Sequence, residues 1–312
     1  MSDPADLTGT GLSEAWVTEL VERTLAEDLT GGSPLPHAPD LAVANDVTSA
    51  ATIPPGQYGT ADLVARADGV VAGLPVAARV FLRLAPGAAL TGGASDGDRV
   101  RRGDVLLSIR GPVRALLAAE RSALNIASRA SGIATHTRAW VDAIAGTGAK
   151  VLDTRKTTPG LRPLEKYAVR CGGGTNKRMG LYDVAMIKDN HVAAAGSVAA
   201  AVAAVRERAP KVAVQVEADT PAQAVEAVLG HHGALLLEAL AIPVEVVPFE
   251  LELEAAGGRL HHAQALGHNF VADAVARNDG DFHLVGLAVL ALILGHSHCA
   301  PVLDRRRPVW PA

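Results

Sequence analysis

Hydrophobic and polar positions change rhythm twice along this chain, and the two changes predict its domains. Up to about residue 115 the apolar positions come in short β-rich segments, at residues 61–66, 69–72 and 105–109, broken by Gly, Pro and Asp. This pattern predicts a small mixed domain over residues 1–115. Residues 31–44 carry three prolines and two glycines without periodicity, which predicts an exposed loop. From Leu116 an Ala-rich stretch with helical spacing runs through Glu120, Arg121 and Asn125 towards Trp140. After Gly146 the rhythm becomes a regular alternation. Strand-like runs at 151–152, 184–187, 212–216, 234–237 and 249–253 are interleaved with amphipathic helices at 161–170, 197–209 and 221–229. Repeated βα units imply a parallel sheet, and five or more in succession predict an α/β barrel over residues 116–312.

In such barrels the carboxyl ends of the strands carry function, because the βα loops converge there. The first predicted strand is followed by Asp153-Thr154-Arg155-Lys156 and the second by Lys188-Asp189-Asn190-His191; Glu217, Glu238 and Glu254 follow the next three. Arg and Lys gathered in a partly desolvated cleft bind carboxylate or phosphate through charge-assisted hydrogen bonds. Glu217 and Glu238 could hold Mg²⁺ through its waters or accept hydrogen bonds from sugar hydroxyls.

Charge supports this picture. The net charge is −4, which argues against general nucleic-acid binding, yet residues 150–188 hold nine Lys/Arg against three acids. That block is +6 locally, and the remainder of the chain is −10. Gly172-Gly173-Gly174 could serve as a backbone anion cradle, although it lacks the Lys-Ser/Thr ending of a P-loop. The histidine pairs 231/232, 261/262 and 296/298 lack a metal-ligand spacing, and two cysteines, Cys171 and Cys299, are too few for a disulfide framework. Neither a Gly-x-Ser-x-Gly elbow nor a Gly-x-Gly-x-x-Gly fingerprint occurs in a strand-turn-helix context, which removes hydrolase and dinucleotide-binding readings. The acidic start is unlike a secretory signal, and the longest apolar run, 284–294, is too short to span a bilayer; the expected location is the cytoplasm. The residues by themselves describe a barrel enzyme acting on a polyanion.

Particular segments narrow this further. Glu120-Arg121-Ser122-Ala123-Leu124-Asn125, Ser131-Gly132-Ile133-Ala134-Thr135, the run from Asp153 through Thr157-Thr158-Pro159-Gly160-Leu161-Arg162, Glu165-Lys166-Tyr167-Ala168-Val169-Arg170, the glycine triplet and Ile187-Lys188-Asp189-Asn190-His191 together resemble the quinolinate phosphoribosyltransferase family (nicotinate-nucleotide pyrophosphorylase, carboxylating). The resemblance covers about residues 15–240. It implies an incomplete parallel α/β barrel, a smaller N-terminal α/β sandwich domain and a homodimer in which each subunit completes the other's site. The implied substrates are quinolinate and phosphoribosyl pyrophosphate, with Mg²⁺ as cofactor. Arg155, Arg178 and Lys188 would grip the quinolinate carboxylates, with Thr154 and Lys177 at the same substrate site and Lys156 near the phosphoribosyl pyrophosphate. Arg121 would enter from the partner subunit. Glu217 and Glu238 would face the ribose and the Mg-pyrophosphate, and Gly257 and Gly258 the 5′-phosphate. Lys156, Lys188, Glu217 and Glu238 are the implied catalytic set. The chain departs from the family pattern at Lys177, where the family has His, at Glu238-Ala239, where it has Asp-Asn, and at Ala256, where it has Ser; after Gly258 the pattern ends. Those departures leave two other expectations in play, an acceptor that is a different carboxylated heteroaromatic, and an inactive scaffold.

Overall fold

The computed structural model describes residues 3–232, which fall into two compact units dividing after Lys177. The first contains helices α1 (Glu14–Thr30), α2 (Pro39–Val43) and α3 (Val47–Thr52), strands β1 (Tyr58–Val64) and β2 (Gly69–Val70), helix α4 (Leu74–Leu84), strands β3 (Ala89–Gly92), β4 (Arg99–Val100) and β5 (Val105–Pro112), and helices α5 (Val113–Ala143) and α6 (Arg162–Cys171). In the second are β6 (Val184–Ile187), α7 (Asp189–Ala195), α8 (Val198–Arg208), β7 (Ala213–Val216) and α9 (Pro221–His232). The fold class is α/β, as the alternation of periods predicts. No helix among the described residues is long and apolar enough to cross a membrane.

In the first unit β5 is the centre of an antiparallel sheet with order β1-β5-β3, and β2 and β4 form a separate antiparallel pair. Leu63 on β1 lies opposite Leu107 on β5, and with Ile109 they turn to the core, where Val76, Val80 and Phe81 of α4 are fully enclosed. The stripe Val17, Leu20, Val21, Leu25, Leu29 buries one face of α1; the helix opens with the Ser13 side chain accepting from Trp16 N and stops at Gly31, whose φ of 61° is left-handed. α5 follows β5 without a break and packs on α1, α4 and β2 as well as on α6. Its buried positions include Ala115, Ala119, Ser122, Ala123, Ile126, Ala130 and Ala134, most of them small, and α4 packs against this helix.

Two expectations are corrected here. Residues 31–44 are not simply an exposed loop: they contain α2, Leu35, Ala42 and Val43 are buried, and Arg83 donates to the Pro36 carbonyl at 3.0 Å. The prolines hide the period, but Pro39 stands in the first turn of α2, where its missing N–H costs nothing. Residues 151–152 make only an isolated parallel bridge, Leu152 with Thr175, instead of a full strand.

In the second unit β6 and β7 are parallel, in register from Val184↔Ala213 to Ile187↔Val216, and are joined through α7 and α8. Ile187, Val198, Ala201 and Val202 form its buried centre. This is the predicted βα repeat. The predicted strands at 234–237 and 249–253 lie outside the described residues.

Candidate active site

Each unit carries part of the predicted site at the carboxyl end of a parallel pairing. In the first unit the chain leaves Leu152 as Asp153, which is buried, and then turns. The Thr154 hydroxyl accepts from Lys156 N at 3.1 Å, and Thr157 N donates to the Arg155 carbonyl at 2.9 Å. This tight turn exposes Lys156 and leaves Arg155 half-buried, its Nε without a hydrogen-bond partner among the described residues. Glu165 of α6 anchors the far side of the turn. It accepts from Thr158 N at 3.3 Å and from Arg129 of α5 at 2.5 and 3.0 Å, while Arg162 Nε reaches the Thr157 hydroxyl at 3.0 Å. Two helices therefore fix the turn that carries Arg155 and Lys156.

Lys177, the last residue of this unit, donates its backbone N–H to Asp153 at 2.8 Å. Arg121 sits on the outward face of α5 with Leu117 and Asn125, all three exposed, opposite the stripe that packs on α4.

In the second unit the last paired residues of β6 and β7 are Ile187 and Val216, so Lys188 and Glu217 leave the sheet side by side, with Glu217 N bonded to the Ile187 carbonyl at 2.8 Å. Lys188 Nζ reaches Glu217 Oε2 at 2.7 Å, and the two side chains are 44% and 56% exposed. An ion pair so open to solvent contributes about 0–1 kcal/mol. An incoming anion can therefore take Lys188 from Glu217 at little cost. His191 Nδ1 accepts from Lys188 N at 2.9 Å, which fixes the backbone where Lys188 projects. Arg178 is buried, with Nε donating to the Gly180 carbonyl at 2.7 Å, and Asp183 closes the turn by accepting from Met179 N and Gly180 N at 2.6 and 3.1 Å.

The glycine triplet is not an anion cradle. Gly172 N, Gly173 N and Gly174 N donate to the carbonyls of Ala168, Arg170 and Val169, so all three N–H groups are used to end α6. Glycine is required there by packing: a Cβ on Gly172 would meet the Ala134 carbonyl at 2.5 Å and Thr137 Cβ at 2.6 Å. Among the described residues no group of three or more His, Cys, Asp or Glu could hold a metal by itself. Glu238, Gly257 and Gly258, the later histidine pairs and Cys299 lie outside the described residues.

The predicted site residues thus fall as Arg121, Thr154, Arg155, Lys156 and Lys177 in the first unit and Arg178, Lys188 and Glu217 in the second. Two family models match this same stretch, quinolinate phosphoribosyl transferase, N-terminal domain, over residues 46–131 and quinolinate phosphoribosyl transferase, C-terminal domain, over residues 133–242. The chain belongs to the quinolinate phosphoribosyltransferase family. It is 48% identical over 200 residues to a nicotinate-nucleotide pyrophosphorylase (carboxylating) of Mycobacterium leprae, a match covering 64% of this chain and 70% of the relative. It is 41% identical over 203 residues to quinolinate phosphoribosyltransferase (decarboxylating) 1 of Nicotiana glauca, covering 64% of this chain and 57% of that relative. Among solved structures, NadC from Streptococcus pyogenes aligns with a TM-score of 0.63 at 41% identity, over 70% of this chain and 74% of that one. The two family models meet inside α5, so the family's domain boundary falls within a continuous helix. Asp153, Glu165, Lys166, Asn176 and Arg129 were not candidate site residues by sequence. Glu165 and Lys166 gave one signal: they stand next to Leu164 and Tyr167 on an otherwise amphipathic helix and are buried with them.

Proposed function

We propose that this chain transfers the phosphoribosyl group of phosphoribosyl pyrophosphate to quinolinate, releasing pyrophosphate and carbon dioxide and forming nicotinate mononucleotide. The observation that carries the reading is the pairing of Lys188 with Glu217 at adjacent parallel strand ends within the family's motif, one group suited to a carboxylate and the other to a sugar or its metal. Arg155, Lys177, Arg178 and Lys188 receive the dicarboxylate, Lys156 the phosphoribosyl pyrophosphate, and Arg121 arrives from the second copy of a homodimer. Glu217 suits Mg²⁺ by donor type, a half-exposed carboxylate that would hold the hydrated ion through water, and Glu238 would share it. Mg²⁺, when bound, offsets the charge of the departing pyrophosphate.

The chemistry follows from charge. As the bond from C1′ to the pyrophosphate oxygen breaks, C1′ becomes cationic; Glu217 stabilises it while the pyridine nitrogen attacks. The resulting pyridinium accepts the electron pair of the bond to the 2-carboxylate, carbon dioxide leaves, and a proton takes its place on the ring. The cations must hold that carboxylate in position without stabilising it more than the transition state.

The test is turnover of quinolinate with phosphoribosyl pyrophosphate by the full chain, read as nicotinate mononucleotide formed. Other pyridine carboxylates run beside it, because Lys177 and Glu238-Ala239 depart from the family pattern. Arg155→Ala and Lys188→Ala should each lower kcat/KM by at least about tenfold, since a charge-assisted hydrogen bond is worth about 1.5–3 kcal/mol. Near-normal kcat/KM in either folded variant would remove the site.

A further inference from the structure

Two segments leave the Leu152↔Thr175 bridge side by side, one towards Arg155 and Lys156 and the other towards Lys177. Backbone bonds tie them as far as Asp153, whose N–H donates to the Thr175 carbonyl at 3.1 Å, while Thr175 N donates to the Val151 carbonyl at 2.8 Å. Past that point the side chain of Asp153 joins them. Its Oδ1 accepts from Lys166 Nζ at 2.6 Å and from Lys177 N at 2.8 Å, and its Oδ2 accepts from Asn176 Nδ2 at 2.7 Å. Asn176 Nδ2 also donates to the Lys166 carbonyl at 2.8 Å. Asp153 is 4% exposed and Lys166 2%.

A buried ion pair seldom adds net stability, because removing two charges from water costs about what their attraction returns. Stability alone therefore gives no reason to keep charges here. Position does. One carboxylate takes donors from α6, from the Asn176 side chain and from the Lys177 backbone, and it is covalently the start of the turn that presents Arg155 and Lys156. Lys166 cancels a negative charge that would otherwise lie directly beneath the residues meant to attract anions.

Resting on the functional reading above, we propose that Asp153 is a positioning residue for the anion site. Neutralised by Lys166, it sets the 154–156 turn and Lys177 against each other, and Asn176 completes the clamp.

The experiment measures binding apart from turnover, by calorimetry on the full chain with quinolinate and, separately, inorganic pyrophosphate. Asn176→Leu keeps the branched outline of the side chain, removes both amide bonds and leaves the ion pair intact. Its dissociation constant for quinolinate should rise roughly tenfold, the loss expected of a slightly misplaced anchor. The double variant Asp153→Asn with Lys166→Met removes both charges; it should be more thermally stable than Lys166→Met, which strands a buried carboxylate, yet still bind quinolinate roughly tenfold more weakly than the parent. Recovery of both stability and affinity in the double variant, or unchanged affinity in Asn176→Leu, overturns the proposal, since the cluster would then be structural filling. If the parent protein binds these anions without turning them over, and the variants bind more weakly, positioning stands and the transferase reading fails. A parent that binds neither anion overturns both.

Discussion

Cys171 closes α6 beside Tyr167 and Asp96, and burial, with the Asp96 carboxylate as the next cause, pushes its thiol up to about 11. Burial also pushes Asp96 upward, although it accepts from Gly73 N at 2.6 Å, Leu74 N at 3.0 Å and the Tyr167 hydroxyl at 2.8 Å; Tyr167 is raised by burial and then by Asp96. A thiol raised in the folded state favours folding below its ordinary value of 9, and that contribution is lost as pH rises from about 9 through 11, where the unfolded chain ionises first. At pH 8 only about one thiol in a thousand is thiolate. Iodoacetamide at pH 8 should leave Cys171 unmodified in the folded protein and label it after unfolding, as read on its peptide by mass spectrometry; rapid labelling of the folded chain would contradict the burial. The same neighbourhood limits what charge counting can reveal. The block 150–188 has nine cations, but Lys166 is paired internally, and Arg170 donates to the Thr10 carbonyl and stacks 5.6 Å from the Tyr167 ring centre. A tally along the chain cannot tell an inward cation from an outward one. Arg155, Lys156 and Lys188 are the cations of this block that the sequence placed at strand ends and that the structure leaves at least partly open there.

Among the elements, those with an uninterrupted period were legible. α5, α8, β6 and β7 fall within three residues of their predicted bounds, because packing and local preference agree there. α4 was not legible. It is almost continuously apolar, its N-cap is Gly73 without a side-chain bond, and its first N–H groups are satisfied by Asp96, 22 residues on from Leu74. Pro75 in its first turn is the one local mark of such a start. The glycine triplet shows the opposite failure, where a familiar composition suggested a ligand and the cause was helix packing. Gly172→Ala should therefore destabilise the protein, although its φ of −71° suits any residue. The added methyl would press on the backbone of α5 at Ala134 and on Thr137, and overpacking of this kind costs about 1–3 kcal/mol. Gly31→Ala is the comparison, with nothing within 4 Å of its Cβ but a φ of 61°, so its cost is conformational. Chemical denaturation should show a lower midpoint for Gly172→Ala with an unchanged slope; a midpoint equal to the parent would show that α5 and α6 can separate freely.

For the whole molecule the decisive question is whether one copy suffices for catalysis. Arg121 faces outward from α5, with Leu117 exposed one turn before it, while Lys188 stands at the end of β6 in the other unit. A two-fold dimer that exchanges this face would have two sites, each with Lys188 from one chain and Arg121 from the other. Arg121→Ala and Lys188→Ala homodimers should then both be nearly inactive. A mixed dimer of the two variants holds one site with both residues intact and one lacking both. If the two variants are unfolded, mixed equally and refolded, half of the dimers are mixed, and by this symmetry activity should return to roughly a quarter of the parent value. Mass spectrometry under native conditions counts the mixed dimers, so failed exchange cannot pass for failed complementation. A mixture that contains mixed dimers yet stays as inactive as its parents would place Arg121 in its own subunit's site or outside any site. Recovery would instead require that the active site be shared, since no single chain in the mixture carries both residues.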